Sequence, residues 1–122
     1  TMTKLLSYEG ATFKTLTNDE HYFDGGSWKV GNLNNVCYQE LVDIFGQPTY
    51  PTESGDFKVQ VEWAIEVNDG DKVYILRIYD WKTYDRDYTL SQLRTWSIGG
   101  NDEGNPYLLK SFVHAHQSVE LN

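Results

Sequence analysis

The sequence predicts an α+β fold: an antiparallel sheet of three to five strands, in helix-strand-strand-strand-helix order, with two helices laid on one face. Three observations lead there. Residues Lys58 to Val67 alternate apolar and polar side chains, the period of a strand with one wet face. Asn68-Asp69-Gly70-Asp71 then separates that run from a second one, Lys72 to Asp80, and Asp-Gly between strand-like runs marks a hairpin. On either side of the hairpin region stand two segments with the 3.6-residue apolar spacing of helices.

Taken in chain order, residues 1–33 read as an N-terminal β addition to a core spanning 34–116, the whole forming one domain over 1–122. Thr1 ahead of Met2 reads as an added residue, and the segment after it lacks the apolar core of a signal peptide. Thr12 to Leu16 and Trp28 to Val30 are expected as short strands of a loose hairpin, with a turn at Asp24-Gly25-Gly26-Ser27 and a loop at Asn18 to His21. Asn34 to Phe45 is expected as a helix capped by Asn34 or Asn35, burying Cys37, Leu41, Ile44 and Phe45 and stopped by Gly46 and Pro48.

In the hairpin, Val59, Val61, Trp63, Ile65 and Val67 share one face of the first strand. Val73, Ile75, Arg77 and Tyr79 share one face of the second. Thr83 to Gln92 is expected as a loop or strand extension, Leu93 to Ile98 as a third core strand, and Gly99-Gly100 as the start of a flexible turn. Asn105 caps a final helix from Pro106 to about His116, and Gln117 to Asn122 is expected to fray. Three strands and two helices leave one sheet face open, which invites a homo-oligomer.

Net charge is −8, which disfavours duplex nucleic acid as a partner. The single cysteine excludes an internal disulfide framework and fits a reducing cytosol. The sequence has no apolar run long enough for a membrane span. His114 and His116 have the wrong spacing for a helical zinc pair, and no nucleophile elbow or P-loop is present, so no catalytic residue, metal or cofactor is expected.

Charge and aromatics are unevenly spread. Lys72, Arg77, Lys82, Arg86 and Arg94 outnumber Asp80, Asp85 and Asp87, so this segment carries +2 while the rest of the chain carries −10. Tyr74, Tyr79, Trp81, Tyr84, Tyr88 and Trp96 are interleaved with them. Arginine and lysine hold phosphate and rings stack on bases, a combination that suits a small nucleotide better than a long polymer. The expected ligand-binding set is therefore Arg77, Tyr79, Trp81, Lys82, Tyr84, Arg86, Arg94 and Trp96, with Gly99 and Gly100 permitting close approach of the ligand to the backbone.

The strings Phe45-Gly46-x-Pro48, Val61-Glu62-Trp63, Ile78-Tyr79-Asp80-Trp81-Lys82 and Trp96-Ser97-Ile98-Gly99-Gly100 occur in an order that resembles a group of small bacteriophage accessory proteins. The likeness spans roughly residues 35–100, and Thr83-Tyr84-Asp85-Arg86 stands where the group has a Trp-Lys-Asp-Gly turn. It implies a viral protein of the host cytosol that counters host defence, by holding a nucleotide signal or by blocking a defence protein. The residues favour the first role, sequestration without turnover. An acidic nucleic-acid mimic presenting Glu62, Glu66, Asp69 and Asp71 is the alternative, and a hydrolase of the signal is a third.

Overall fold

The computed structural model describes residues 5–20 and 26–120, the last three of these by backbone only. Strands β1 (Leu5–Tyr8), β2 (Ala11–Thr15), β3 (Trp28–Asn34), β4 (Glu62–Asn68), β5 (Val73–Tyr79) and β6 (Thr95–Gly100) form one antiparallel sheet. Their order across it is β1-β2-β4-β5-β6-β3. Helices α1 (Tyr38–Phe45), α2 (Arg86–Ser91) and α3 (Pro106–Glu120) complete the fold.

Six strands and three helices correct the expected sheet of three to five strands with two helices. The N-terminal segment is the main source of the difference. β2 and β3 do not form a hairpin with each other: β2 pairs with β1 and β4, whereas β3 pairs with β6 at the far edge. Short strands of this kind draw their stability from non-local partners, which local composition does not report. Asp24 and Gly25 of the expected turn, His21, residues 1–4 and the end of the tail lie outside the described residues.

Side-chain alternation divides the sheet into two faces. On the closed face, Phe13, Trp63, Ile65, Leu76, Ile78, Trp96 and Ile98 are fully or almost fully buried in a core with Leu41 of α1 and Leu109, Phe112 and Val113 of α3. Phe112 stacks on Phe13 at 4.2 Å, and Trp63 meets Trp96 edge to face at 5.7 Å, offsets that suit the ring quadrupoles. The opposite face places Glu62, Ala64 and Glu66 beside Tyr79, Arg77 and Ile75, and continues through Gly99 to Lys29 on β3.

α1 starts at Tyr38, not at Asn34. Asn34 still pairs with Thr95 in the sheet and Asn35 takes a left-handed φ of 61°. Cys37 becomes the cap, its N–H donating to Glu40 Oε1 at 2.9 Å. α2 replaces the expected loop: the Asp85 carboxylate accepts from Tyr88 N and caps a helix of six residues. Gly99 and Gly100 close β6 as strand residues, opposite Lys29 and Trp28, and are not a turn. α3 begins where expected, with Asn105 Oδ1 accepting from Tyr107 N at 3.1 Å, and runs past the expected end to Glu120.

One fully buried carboxylate joins β5 to the segments around it. Asp80 Oδ1 accepts from the backbone N–H of Gln60 and Val61 at 2.7 and 3.1 Å. Its Oδ2 accepts from the hydroxyls of Thr83 and Thr89 at 2.9 and 2.8 Å. A buried carboxylate that accepts several hydrogen bonds rigidifies its surroundings, and its removal strands every donor. Asp80→Ala is expected to cost about 4 kcal/mol of folding stability, and Asp80→Asn about half as much, measured by urea unfolding.

Candidate functional site

On the open face of the sheet the chain forms a hollow of about 430 Å³ lined by Arg77 and Tyr79 of β5, Trp81, Val59, and the Ser27-Trp28-Lys29 run at the start of β3. Register explains its position. Lys29, Gly99 and Arg77 lie side by side across β3, β6 and β5. The middle member has no side chain, so a gap opens between the outer two. Arg77 reaches into that gap: a Cβ built on Gly99 would come within 2.7 Å of the guanidinium.

Several contacts hold Arg77 in place. Its Nη1 donates to Glu62 Oε1 at 3.1 Å and its Nε to Ser27 Oγ at 3.1 Å. The guanidinium carbon sits 4.8 Å from the centre of the Tyr79 ring, within cation–π range. The Arg77 and Glu62 side chains are only 14% and 12% exposed, so this is a nearly buried ion pair. Burial pushes the Glu62 carboxyl above the ordinary glutamate range, against the opposing pull of Arg77. Burial likewise raises the phenols of Tyr79 and of Tyr50, which sits opposite Glu62.

Trp81 stands at the rim, 48% exposed and edge-on to Tyr79 at 6.1 Å. The ammonium groups of Lys58 and Lys82 lie 5.9 and 5.5 Å from its ring. The backbone N–H of Lys82 donates to Lys58 O at 2.7 Å, tying the two segments together. Phe57, Lys82 and Tyr84 all hold φ near +60°, a conformation that costs a residue with a side chain on the order of 1 kcal/mol or more. Strain of this kind persists only where neighbouring contacts over-determine it, and it gathers here in the segments that flank Trp81.

Arg77, Tyr79 and Trp81 of the expected set come together around the hollow; the other members are placed differently. Lys82 is exposed beside Trp81, and Tyr84 is 59% exposed two residues further on. Arg86 is spent on structure, donating to the carbonyls of Gln60 and Pro51. Arg94 is an exposed residue on the α1 side, donating to Asn35 O and lying 3.8 Å from Glu40. Trp96 cannot stack on a ligand here: it is 1% exposed, with its indole N–H donating to Val36 O. Gly99 and Gly100 do not open onto a ligand either, because Arg77 covers the first and Leu76 packs against the second.

Sequence reasoning missed Ser27, Trp28, Lys29, Lys58 and Val59. One signal was present: Trp28-Lys29 repeats the Trp81-Lys82 string, and the fold brings the two tryptophans to one hollow. Two of the four carboxylates of the alternative reading are engaged within the protein, while Glu66 is half-buried and Asp71 exposed. Glu62 is paired to Arg77, and Asp69 accepts from the N–H groups of Asp71 and Lys72 within the hairpin turn. Among the described residues no cluster of three metal-ligating side chains occurs, and no helix is long and apolar enough to cross a membrane.

Comparison with known proteins returns no match: no family model, no curated protein and no solved structure is similar to the chain.

Breaking a nearly buried pair leaves one charge uncompensated, whereas replacing both partners by apolar groups does not. Arg77→Met is expected to cost about 3 kcal/mol, and the double variant Arg77→Met/Glu62→Leu to regain most of it, measured by chemical denaturation as a double-mutant cycle.

Proposed function

We propose that this protein binds a small anionic, ring-bearing molecule of the nucleotide class and holds it without turnover. The observation that carries the proposal is the meeting of Arg77 and Lys29 with Trp28, Tyr79 and Trp81 around one hollow, on a chain whose net charge is −8. Aromatic faces accept a base and cations accept a phosphate. The acidic body repels a long polyanion but not a compact one seated among lysines.

Retention without reaction is part of the proposal. Among the described residues the hollow is bordered by no histidine or carboxylate side chain that could serve as a general base. Glu62 lies behind Arg77 and is committed to it. Holding a nucleotide signal fits the role that the phage-type strings imply, in which the protein lowers the free concentration of the signal in the host cytosol.

Calorimetry with 3′,5′-cyclic adenosine monophosphate and larger cyclic nucleotides tests the proposal. Saturable binding is expected, weakened at least tenfold by Trp81→Ala and by Lys29→Ala, and absence of heat with every nucleotide tried would remove the reading.

A bound phosphate must share the Arg77 guanidinium with Glu62, so neutralising Glu62 strengthens binding. The phosphodiester of the cyclic mononucleotide does not titrate in the relevant range. Affinity is therefore expected to rise as pH falls through the elevated titration of Glu62, and Glu62→Gln to tighten binding at neutral pH and flatten that dependence. An unchanged pH profile in Glu62→Gln would show that the carboxylate does not compete.

A further inference from the structure

A second hollow meets the first at Arg77. It has a volume of about 360 Å³ and is lined by Asn18, Tyr50, Thr52, Glu53, Ser54 and Glu62. Arg77 and Val59 border both hollows and are the residues they share. The guanidinium thus stands at a junction, with a chamber on either side. Each chamber is near the lower end of the size range of small-molecule sites, room for one nucleoside-sized unit.

The two chambers differ in chemistry. The first offers Trp28, Tyr79 and Trp81 with Lys29, and the Lys58 and Lys82 ammonium groups lie by its rim tryptophan. The second offers one ring, Tyr50, together with amide and hydroxyl groups from Asn18, Thr52 and Ser54 and the carboxylates of Glu53 and Glu62. Tyr50 is anchored by backbone bonds in both directions to Glu62, at 2.9 and 3.0 Å, so its chamber is tied to the sheet and is not merely a loop gap. Carboxylates accept from sugar hydroxyls and base amino groups but repel a terminal phosphate.

We infer that the site takes a dinucleotide, with its linking phosphodiester at Arg77, the half that bears a terminal phosphate in the cationic aromatic chamber and an uncharged nucleoside half in the chamber of Tyr50, Glu53 and Glu62. This rests on the nucleotide reading above and names the class of ligand within it. Arg77 serves the linkage common to both halves, which is why a single guanidinium at the junction suffices. The charge difference between the chambers sets the polarity of the bound molecule.

The test is calorimetry of the full chain, at fixed pH and salt, with adenosine 5′-monophosphate, with the singly end-phosphorylated dinucleotide pApA, and with pApAp, phosphorylated at both ends. pApA is expected to bind at least thirtyfold more tightly than the mononucleotide, and pApAp, which must place a terminal phosphate in the carboxylate chamber in either direction, at least tenfold more weakly than pApA. Thr52→Trp introduces bulk into the second chamber from an exposed position and is expected to erase the pApA advantage. Glu53→Lys is expected to close the gap between pApAp and pApA, with circular dichroism confirming that both variants are folded. Mononucleotide binding with no gain for pApA overturns the two-chamber inference and leaves the nucleotide reading standing. A pApA advantage that survives folded Thr52→Trp also overturns the inference. Absence of binding by all three probes overturns the inference, and absence with the cyclic nucleotides as well overturns the nucleotide reading.

Discussion

The candidate site exists because Asp80 collects four donors from three parts of the chain. The carboxylate is fully buried, and it bonds the backbone of Gln60 and Val61 on one side and Thr83 and Thr89 on the other. Those bonds set the approach to β4, the turn after β5 and helix α2 relative to one another. Lys58 and Val59 precede the first pair of donors, and Trp81 and Lys82 lie between Asp80 and the second. The rim of the hollow is thus a consequence of satisfying one buried carboxyl group with hydrogen bonds. Lys82 and Tyr84, on either side of Thr83, hold their left-handed conformations within the turn that the Thr83 bond to Asp80 fixes.

The open face shows a different balance. Arg77 and Glu62 form a pair that adds little to stability, because removing two charges from water costs about what their attraction returns. What the pair does supply is position. Tyr79 beneath the guanidinium, Ser27 at its Nε and the bare backbone of Gly99 leave the head group between two chambers. A long flexible side chain on an open sheet would otherwise sample solvent, and its ordering here is done by the protein before any ligand arrives, which lowers the entropic cost of binding.

Some features of the fold and site could be read locally. The β4–β5 hairpin, its Asp-Gly turn and the Asn105-Pro106 helix start follow from short-range patterning, and each is present; the alternation expected from Lys58 holds only from Val61, because β4 begins at Glu62 and Val59 borders the hollow beside Arg77 and Tyr79. α2 was not legible because its six residues show no apolar period and depend on the Asp85 cap and the Thr89 bond to Asp80. Trp96 shows the limit for site residues. Its neighbours in sequence include Arg94 and Gly99, as a binding tryptophan's might, yet alternation turns it onto the closed face against Trp63. Arg86 and Arg94 have the right chemistry but are turned to loop carbonyls and to the end of α1.

What the sequence by itself determined is the set of local elements and the two-sidedness of the central strands, because turn chemistry and the two-residue strand period act between near neighbours. It also determined the cation and ring chemistry available on β5 and just after it. Only the tertiary structure decided that β1, β2 and β3 extend the sheet to six strands, and that β3 lies beyond β6. That placement brings Trp28 and Lys29 to Arg77, some 50 residues away in the chain, through a strand whose glycine leaves the space between them open. Strand order is set by burial and hydrogen bonding summed over the whole sheet, and no window of sequence contains that sum.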